Sequence, residues 1–295
     1  MNLLTISGSP HLQSRRSVSS IMFDVVIALV PATLLSFFMF GLDAVRIMLV
    51  SVAACIAFEW LIMKYIIKGR TTISDGSAIV TGVLLAFNVP TNLPTWILVI
   101  GALVSIGMAK MSFGGLGKNP FNPALVGRVF LLISWPVDMT SWPIPKPLFN
   151  MPHVDAVTGP TPLGVVKEGV AGGQTVQEAL SSIPSYSEGL LSSYGEFLTG
   201  YQTGSMGEMS AALLILGAVY MLIRKVITWH IPLTYIGSVA IFTGILYWAD
   251  PTVYVGPVFH ILTGGLILGA FYMATDMVSS PMSKWGMIVF GLGCG

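Results

Sequence analysis

The chain has 295 residues, of which 54% are hydrophobic and 9% charged, with a formal net charge of +1 and a mean hydropathy of +0.81. Those values exclude a soluble globular domain, and the near-neutral charge gives no basis for nucleic-acid binding. An integral membrane protein remains. Cys55, inside an apolar run, and Cys294, next to the last residue, are too few and too badly placed for a disulfide framework or a thiolate metal site, and read as small hydrophobes.

In chain order, residues 1–20 are polar for most of their length and lack a small-residue cleavage site after an apolar core. They read as a cytoplasmic tail and not a signal peptide. A helical crossing needs roughly 20 mostly apolar residues. Runs of that order, bounded by charge, Pro or Gly, give eight spans and part of a ninth. They cover about 21–41, 44–67, a short glycine-interrupted 77–89, 94–111, 121–135, 208–226, 231–248 and 257–275, with the last starting near 284. The fold class is therefore all-α and polytopic.

Positively charged loops stay in the cytoplasm. With Arg15 and Arg16 inside, Lys64, Lys68 and Arg70, then Lys110 and Lys118, then Arg224 and Lys225, and finally Lys284 fall on the same side. The stretch 136–207, after an odd number of crossings, is extracytoplasmic, and it carries Asp138, Asp155, Glu168, Glu178, Glu188 and Glu196 against Lys146 and Lys167.

Two segments repeat weakly, DGSAIVTGVLLAF (75–87) and FHILTGGLILGAF (259–271). Lying five spans apart, they would enter the bilayer from opposite sides, the arithmetic of two inverted five-helix repeats. The expected organisation is a tail (1–20), a first repeat (21–135), the loop (136–207) and a second, incomplete repeat (208–295). The missing end of the ninth span and the whole tenth lead to the expectation of a C-terminal truncation.

Two polar stretches carry the chemistry. FGGLGKNPFNPALVGRVFL (113–131) reads as a glycine-rich cytoplasmic turn leading into the fifth span. Gly114, Gly115 and Gly117 allow close backbone approach, Asn119 and Asn122 offer amide donors and acceptors, and Pro123 suits the start of a helix. Arg128, a turn or more inside, is costly in hydrocarbon. It must face a cavity, a bound anion or a carboxylate such as Asp24 or Glu59.

The second stretch, DAVTGPTPL (155–163), fits Asp-x-x-[Ser/Thr]-Gly-x-Thr through Asp155, Thr158, Gly159 and Thr161. Gly159 permits a tight turn, and Pro160 and Pro162 hold the backbone extended so that the Thr161 hydroxyl is presented outward. Taken alone this is an ordinary Pro/Gly turn. A threonine hydroxyl is a weak nucleophile, so Thr161 reads as an attachment point and not as a catalytic group.

With Ser9 to His11 (SPH) and ATDMVSSPM (274–282), these stretches resemble the RnfD family, membrane subunits of the ion-translocating Rnf ferredoxin:NAD oxidoreductase complex. More distantly they resemble the B subunit of the sodium-translocating NADH:quinone reductase. The resemblance runs from Ser9 to the last residue. It implies FMN joined through its phosphate to Thr161 by a separate flavin transferase. It implies partner subunits carrying iron–sulfur centres and a second flavin, and residence in the cell inner (plasma) membrane. It also implies electron flow from ferredoxin to NAD coupled to sodium or proton translocation. Pro160 departs from the family's usual Ala. The quinone-reductase relative is associated with riboflavin, and Arg128, Asn119 and Asn122 are the candidate residues for such a non-covalent flavin here. The family also continues past a ninth helix to a tenth.

Other polar residues have simpler readings beside functional ones. Asp24 and Glu59 could line an ion path or pair with basic groups. Asp75 and Asp276 could be helix-end carboxylates, and His260 a proton relay or a hydrogen-bonded interior side chain. Trp96, Trp135, Trp142, Trp248 and Trp285 fit an interfacial aromatic belt. The rival functional class is a small-solute channel or secondary transporter of inverted-repeat fold with no redox cofactor. A scaffold subunit that anchors partners is a further one.

Overall fold

The computed structural model describes residues 17–69, 72–145, 158–183, 195, 197–198 and 202–295. Asp155, the SPH run and the basic residues Arg15, Arg16, Arg70 and Lys146 lie outside them. The protein is an all-α polytopic membrane protein. Four stretches, Val18–Phe40, Leu42–Ile67, Thr95–Phe113 and His230–Ala249, are long and apolar enough to cross a bilayer.

Helix α1 (Val18–Phe40) begins where the Ser17 hydroxyl accepts the Ser20 N–H at 3.1 Å. Gly41 alone, at φ 63°, separates it from α2 (Leu42–Leu61), which runs on into a π-helical turn, Ile62–Ile67. Helix α3 (Ser77–Phe87) is short and buried along almost its whole length. Helix α4 (Thr95–Leu103) continues through a second π-helical turn, Val104–Met108. Helix α5 (Pro123–Ser134) is capped by Asn122 and followed by α6 (Pro136–Thr140).

Between the membrane helices lie a two-stranded ladder, β1 (Trp142–Pro143) and β2 (Thr158–Gly159), and two short helices, α7 (Pro162–Ala171) and α8 (Val176–Ser181). Then come α9 (Ala211–Ile223), α10 (His230–Ala249), α11 (Pro257–Leu262), α12 (Leu266–Leu268) with a third π-helical turn, Gly269–Met273, and α13 (Lys284–Cys294).

The third predicted span is not interrupted by its glycine. Gly82 lies within α3, where a Cβ would stand 2.7 Å from Val52 Cα of α2, and Ser51 Oγ donates to the Gly82 carbonyl at 2.7 Å. A small residue here permits backbone-to-backbone packing, as small residues do between membrane helices. The eighth predicted span, read as continuous, is broken. Thr263 is extended (φ −100°, ψ 148°) and Gly264 has φ +73°, which parts α11 from α12. Apolar composition is the same for a whole helix and a broken one, so hydropathy could not show the break. The two segments that resemble each other in sequence thus fold differently. They share one local device: Thr81 Oγ1 donates to the Ser77 carbonyl and Thr263 Oγ1 to the Phe259 carbonyl.

The main core joins α1 to α5 with α9 and α12 through Leu29, Ile47, Leu85, Phe87, Leu98 and Leu131. A smaller cluster of Val166, Val176, Leu180, Phe197, Val255 and Phe259 seats α7 and α8 on α11. The Phe197 and Phe259 rings meet edge-on at 5.7 Å, and the Val176 N–H donates to the Thr252 carbonyl at 3.0 Å. The segment carrying Thr161 is thereby fixed to the membrane helices.

Candidate functional site

Thr161 is more than a turn residue. The β1–β2 ladder pairs Trp142 with Gly159 and Pro143 with Thr158. Two residues past Gly159, Thr161 caps α7, its Oγ1 accepting the Gly164 N–H at 3.2 Å, with Pro162 at the first helical position. The hydroxyl is therefore half-buried at a helix N-terminus and not simply presented outward, because Pro162 starts a helix where the prolines alone suggested extended chain.

Thr158, Gly159 and Thr161 border one cleft of about 460 Å3, together with Trp142, Gly164 and Glu168. A Cβ at Gly164 would stand 3.3 Å from Thr161 Oγ1, so glycine there keeps space open beside the hydroxyl. A helix N-terminus favours a negatively charged group. The site accordingly fits a phosphoester on Thr161. Downstream, α8 starts with a capping box in which the Thr175 N–H donates to Glu178 at 2.9 Å. Hydrogen bonds from the Thr175 backbone and side chain hold the Glu178 carboxyl below the ordinary carboxylate range.

The intramembrane Arg128 pairs with neither Asp24 nor Glu59. Its Nη1 donates to Asn88 Oδ1 at 2.8 Å. Asn88 caps the C-terminal end of α3, is 2% exposed, and donates from Nδ2 to the Leu84 carbonyl at 2.6 Å. The guanidinium therefore lies at the negative end of a short buried helix, a favourable place for a cation. Glu208, buried just before α9, accepts from Ser205 Oγ at 3.0 Å.

Asn88, Asn122, Arg128, Tyr235, Met273 and Ser279 border a cavity of about 910 Å3. Asn122 Oδ1 is already engaged in capping α5, accepting the Ala124 N–H at 3.0 Å. Asn119 does not face this cavity. It borders a neighbouring one of about 80 Å3 with Ser77, Thr81, Lys110, Tyr272 and Asp276, and Asn122 borders both. Asn119 Nδ2 donates to the Phe121 carbonyl at 3.0 Å, while its Oδ1 is buried without a hydrogen-bond partner. The glycine-rich turn before it has the expected backbone, with φ of 103°, 93° and 91° at Gly114, Gly115 and Gly117.

The membrane carboxylates pair with basic groups. Asp24 lies 3.2 Å from Arg224 and accepts from the Tyr220 hydroxyl at 3.0 Å. Glu59, fully buried, lies 2.6 Å from Lys110 Nζ and accepts from Thr72 Oγ1 at 2.5 Å. Lys110 Nζ also donates to Ser77 Oγ, whose hydroxyl in turn donates to Asp75. Lys110 is 1% exposed, which corrects its reading as a loop charge: a π-helical turn just before it and another just after Glu59 sit beside this buried pair. Asp276 accepts from Ser279 Oγ at 3.1 Å, and His260 is half-buried beside Phe259. The Trp96 and Trp135 rings meet edge-on at 5.4 Å, and Trp248 and Trp285 are exposed.

Sequence reasoning missed Asn88, Glu208 and the identity of the Glu59 partner. The signal for Asn88 was a polar residue closing the apolar run VLLAF ahead of Pro90.

Residues 5–295 match the NQR2, RnfD, RnfE family. The chain is 42% identical to the D subunit of the proton-translocating ferredoxin:NAD(+) oxidoreductase complex of Clostridium ljungdahlii, over 100% of this chain and 85% of that one. It is 41% identical to the D subunit of the Na(+)-translocating ferredoxin:NAD(+) oxidoreductase complex of Acetobacterium woodii, over 99% and 83%. It is 34% identical to the D subunit of the ion-translocating oxidoreductase complex of Escherichia coli O81, over 97% and 85%.

Proposed function

Because this chain belongs to the NQR2, RnfD, RnfE family, we propose that it is the D subunit of an ion-translocating ferredoxin:NAD oxidoreductase complex and carries FMN on Thr161 through a phosphoester. The observation that carries the cofactor assignment is the seat of the Thr161 hydroxyl, at the N-terminus of α7 beside the space that Gly164 leaves open. Bound flavin would supply the electron-carrying chemistry, and the protein its position and electrostatics. The positive end of the α7 dipole favours a phosphate, and in the first turn the Leu163 N–H is the one that neither proline nor the cap removes, since Pro162 has none and the Gly164 N–H serves Thr161 Oγ1. The β1–β2 ladder sets the entry of the chain into that helix, and the cluster around Phe197 and Phe259 anchors it to the membrane helices.

The cavity beside Arg128, Asn88 and Asn122 suits a second, non-covalent flavin such as riboflavin, since ligand sites of several hundred Å3 are mostly apolar with a few convergent polar groups. Asn119 lies outside this cavity, and its Oδ1, an acceptor without a donor, favours a water or ligand group in the smaller neighbouring one. We place the chain in the inner (plasma) membrane. Its N-terminus and its basic end, with Lys64, Lys118, Arg224 and Lys284, face the cytoplasm, and the Thr161 loop faces outward, from the distribution of basic residues. Its partners in this reading are iron–sulfur subunits and a second flavin-carrying subunit, with a flavin transferase for maturation. The relatives divide by name between proton and Na(+) translocation, so the coupling ion is either.

Ultraviolet illumination after denaturing electrophoresis tests the cofactor assignment. Protein from cells that contain the transferase should fluoresce, and Thr161→Ala should be dark while Thr158→Ala stays bright. A dark band for the unsubstituted chain rejects the covalent flavin and favours a solute transporter or scaffold.

A further inference from the structure

Among the described residues, Trp142 is the one large aromatic side chain bordering the Thr161 cleft. It stands directly opposite Gly159 in the β1–β2 ladder, and opposite residues of an antiparallel pair project from the same face. Thr161 lies two residues beyond Gly159, past the end of the ladder and extended at φ −68°, ψ 157°, and it borders the same cleft as Trp142. Gly159 contributes no side chain between them. Ile144, the next residue on the Trp142 side of β1, fills the space over Gly159, since a Cβ there would stand 3.3 Å from Ile144 Cδ1.

The indole is half-buried. Trp96 and Trp135 cover each other and Trp229 stacks on His230, but among the described residues no ring covers Trp142. Nor does it sit on a membrane helix, where an interfacial belt would account for it. A flat, electron-rich surface thus borders the same cleft as the oxygen proposed as the flavin anchor.

We propose that Trp142 is a wall of the flavin site, against which the isoalloxazine of a Thr161-linked FMN stacks. The inference rests on the reading that Thr161 carries FMN. Offset stacking of aromatic systems is favourable beyond the area it buries, and the isoalloxazine is electron-poor where indole is electron-rich. The same contact would quench flavin emission, because a stacked indole donates an electron to the excited ring within its lifetime and takes it back without net reaction. Gly159 also keeps the Ile144 side chain in place, since a Cβ there would stand 3.3 Å from Ile144 Cδ1 and push it aside.

The test compares flavin emission of detergent-extracted full-length protein, made in cells with the transferase, before and after denaturation. The unsubstituted protein should be dim when native, with a dominant sub-nanosecond decay, and should brighten several-fold on denaturation. Trp142→Leu should be bright when native, with the fast decay lost and the denatured intensity unchanged. Trp142→Phe, which keeps an aromatic ring in the ladder but is a much poorer electron donor, should behave the same way and guards against misfolding of the leucine variant. Native emission and decay in Trp142→Phe identical to the unsubstituted protein, at equal denatured intensity, would overturn the proposal. A dark denatured band from the unsubstituted protein would overturn the proposal together with the Thr161 assignment. A bright band that is unquenched when native removes Trp142 alone.

Discussion

Leu163, the second residue of α7, rests on Gly264, so that a Cβ added at 264 would lie 3.2 Å from Leu163 Cδ1. The helix that begins at Thr161 is therefore seated on the break between α11 and α12, which links the polar segment between the membrane helices to the one predicted span that folds in two pieces.

Replacing Gly264 by Ala should destabilise the protein by about 1–2 kcal/mol, because its φ of +73° is costly for a residue with a side chain. The added methyl also presses on Leu163. Thermal unfolding in detergent checks the stability loss, and limited proteolysis between residues 158 and 183 checks whether α7 loosens with it. Unchanged behaviour in both measurements would mean that the break tolerates an ordinary helical residue.

At Gly164 the expected effects on stability and on cofactor loading have opposite signs. Gly164→Ala places a methyl 3.3 Å from Thr161 Oγ1 and should lower the fraction of chains with covalent flavin. Alanine in place of glycine within a helix should stabilise α7 by up to about 1 kcal/mol. In-gel fluorescence per mole of protein and the unfolding midpoint read the two effects separately. A parallel fall in both would point to simple misfolding.

Arg128 is the only guanidinium bordering the 910 Å3 cavity among the described residues. Arg128→Gln removes the cationic donor from the cavity wall, and a hydrogen bond from a charged group to a bound ligand contributes about 1.5–3 kcal/mol. The content of acid-extractable, non-covalent flavin should fall, with retention weakened roughly tenfold to a hundredfold, while the covalent band stays at full intensity. Loss of both flavins together would show a structural role for the Arg128–Asn88 pair.

The Glu59–Lys110 pair should be far less tolerant of single than of double replacement. Lys110→Met leaves a buried carboxylate unpaired and should cost about 3–5 kcal/mol, whereas Glu59→Gln with Lys110→Met should recover most of that. A double-mutant cycle on thermal unfolding measures the coupling. Additive losses would mean that the two charges do not support each other.

Local chemistry was legible in the sequence and long-range partnership was not. The Asn122–Pro123 helix start and the positive φ of Gly114, Gly115 and Gly117 depend on neighbours a few residues away and are readable from residue type, whereas the helix that Thr161 caps was hidden behind its two prolines. Most helices also follow the hydropathy runs to within a few residues. What the runs hid is anything that needs two distant segments. Arg128 and Asn88 are 40 residues apart, and Glu59 and Lys110 are 51 apart. Lys110 read as a topology marker because a charge after an apolar run resembles a loop charge until its partner is known. Hydropathy failed for the same reason at Thr263–Gly265, where the chain leaves the helix without leaving apolar composition.

For the modification proposed above, the capping bond at Thr161 would tie maturation to folding. Oγ1 is oriented by the Gly164 N–H only once α7 has wound, so the oxygen has no fixed direction in a nascent chain. A modifying enzyme would meet a shaped acceptor after folding and a floppy one before. A transferase acting on Thr161 would then read more than the letters of the motif, meeting the helix that follows and the surface beneath it as well.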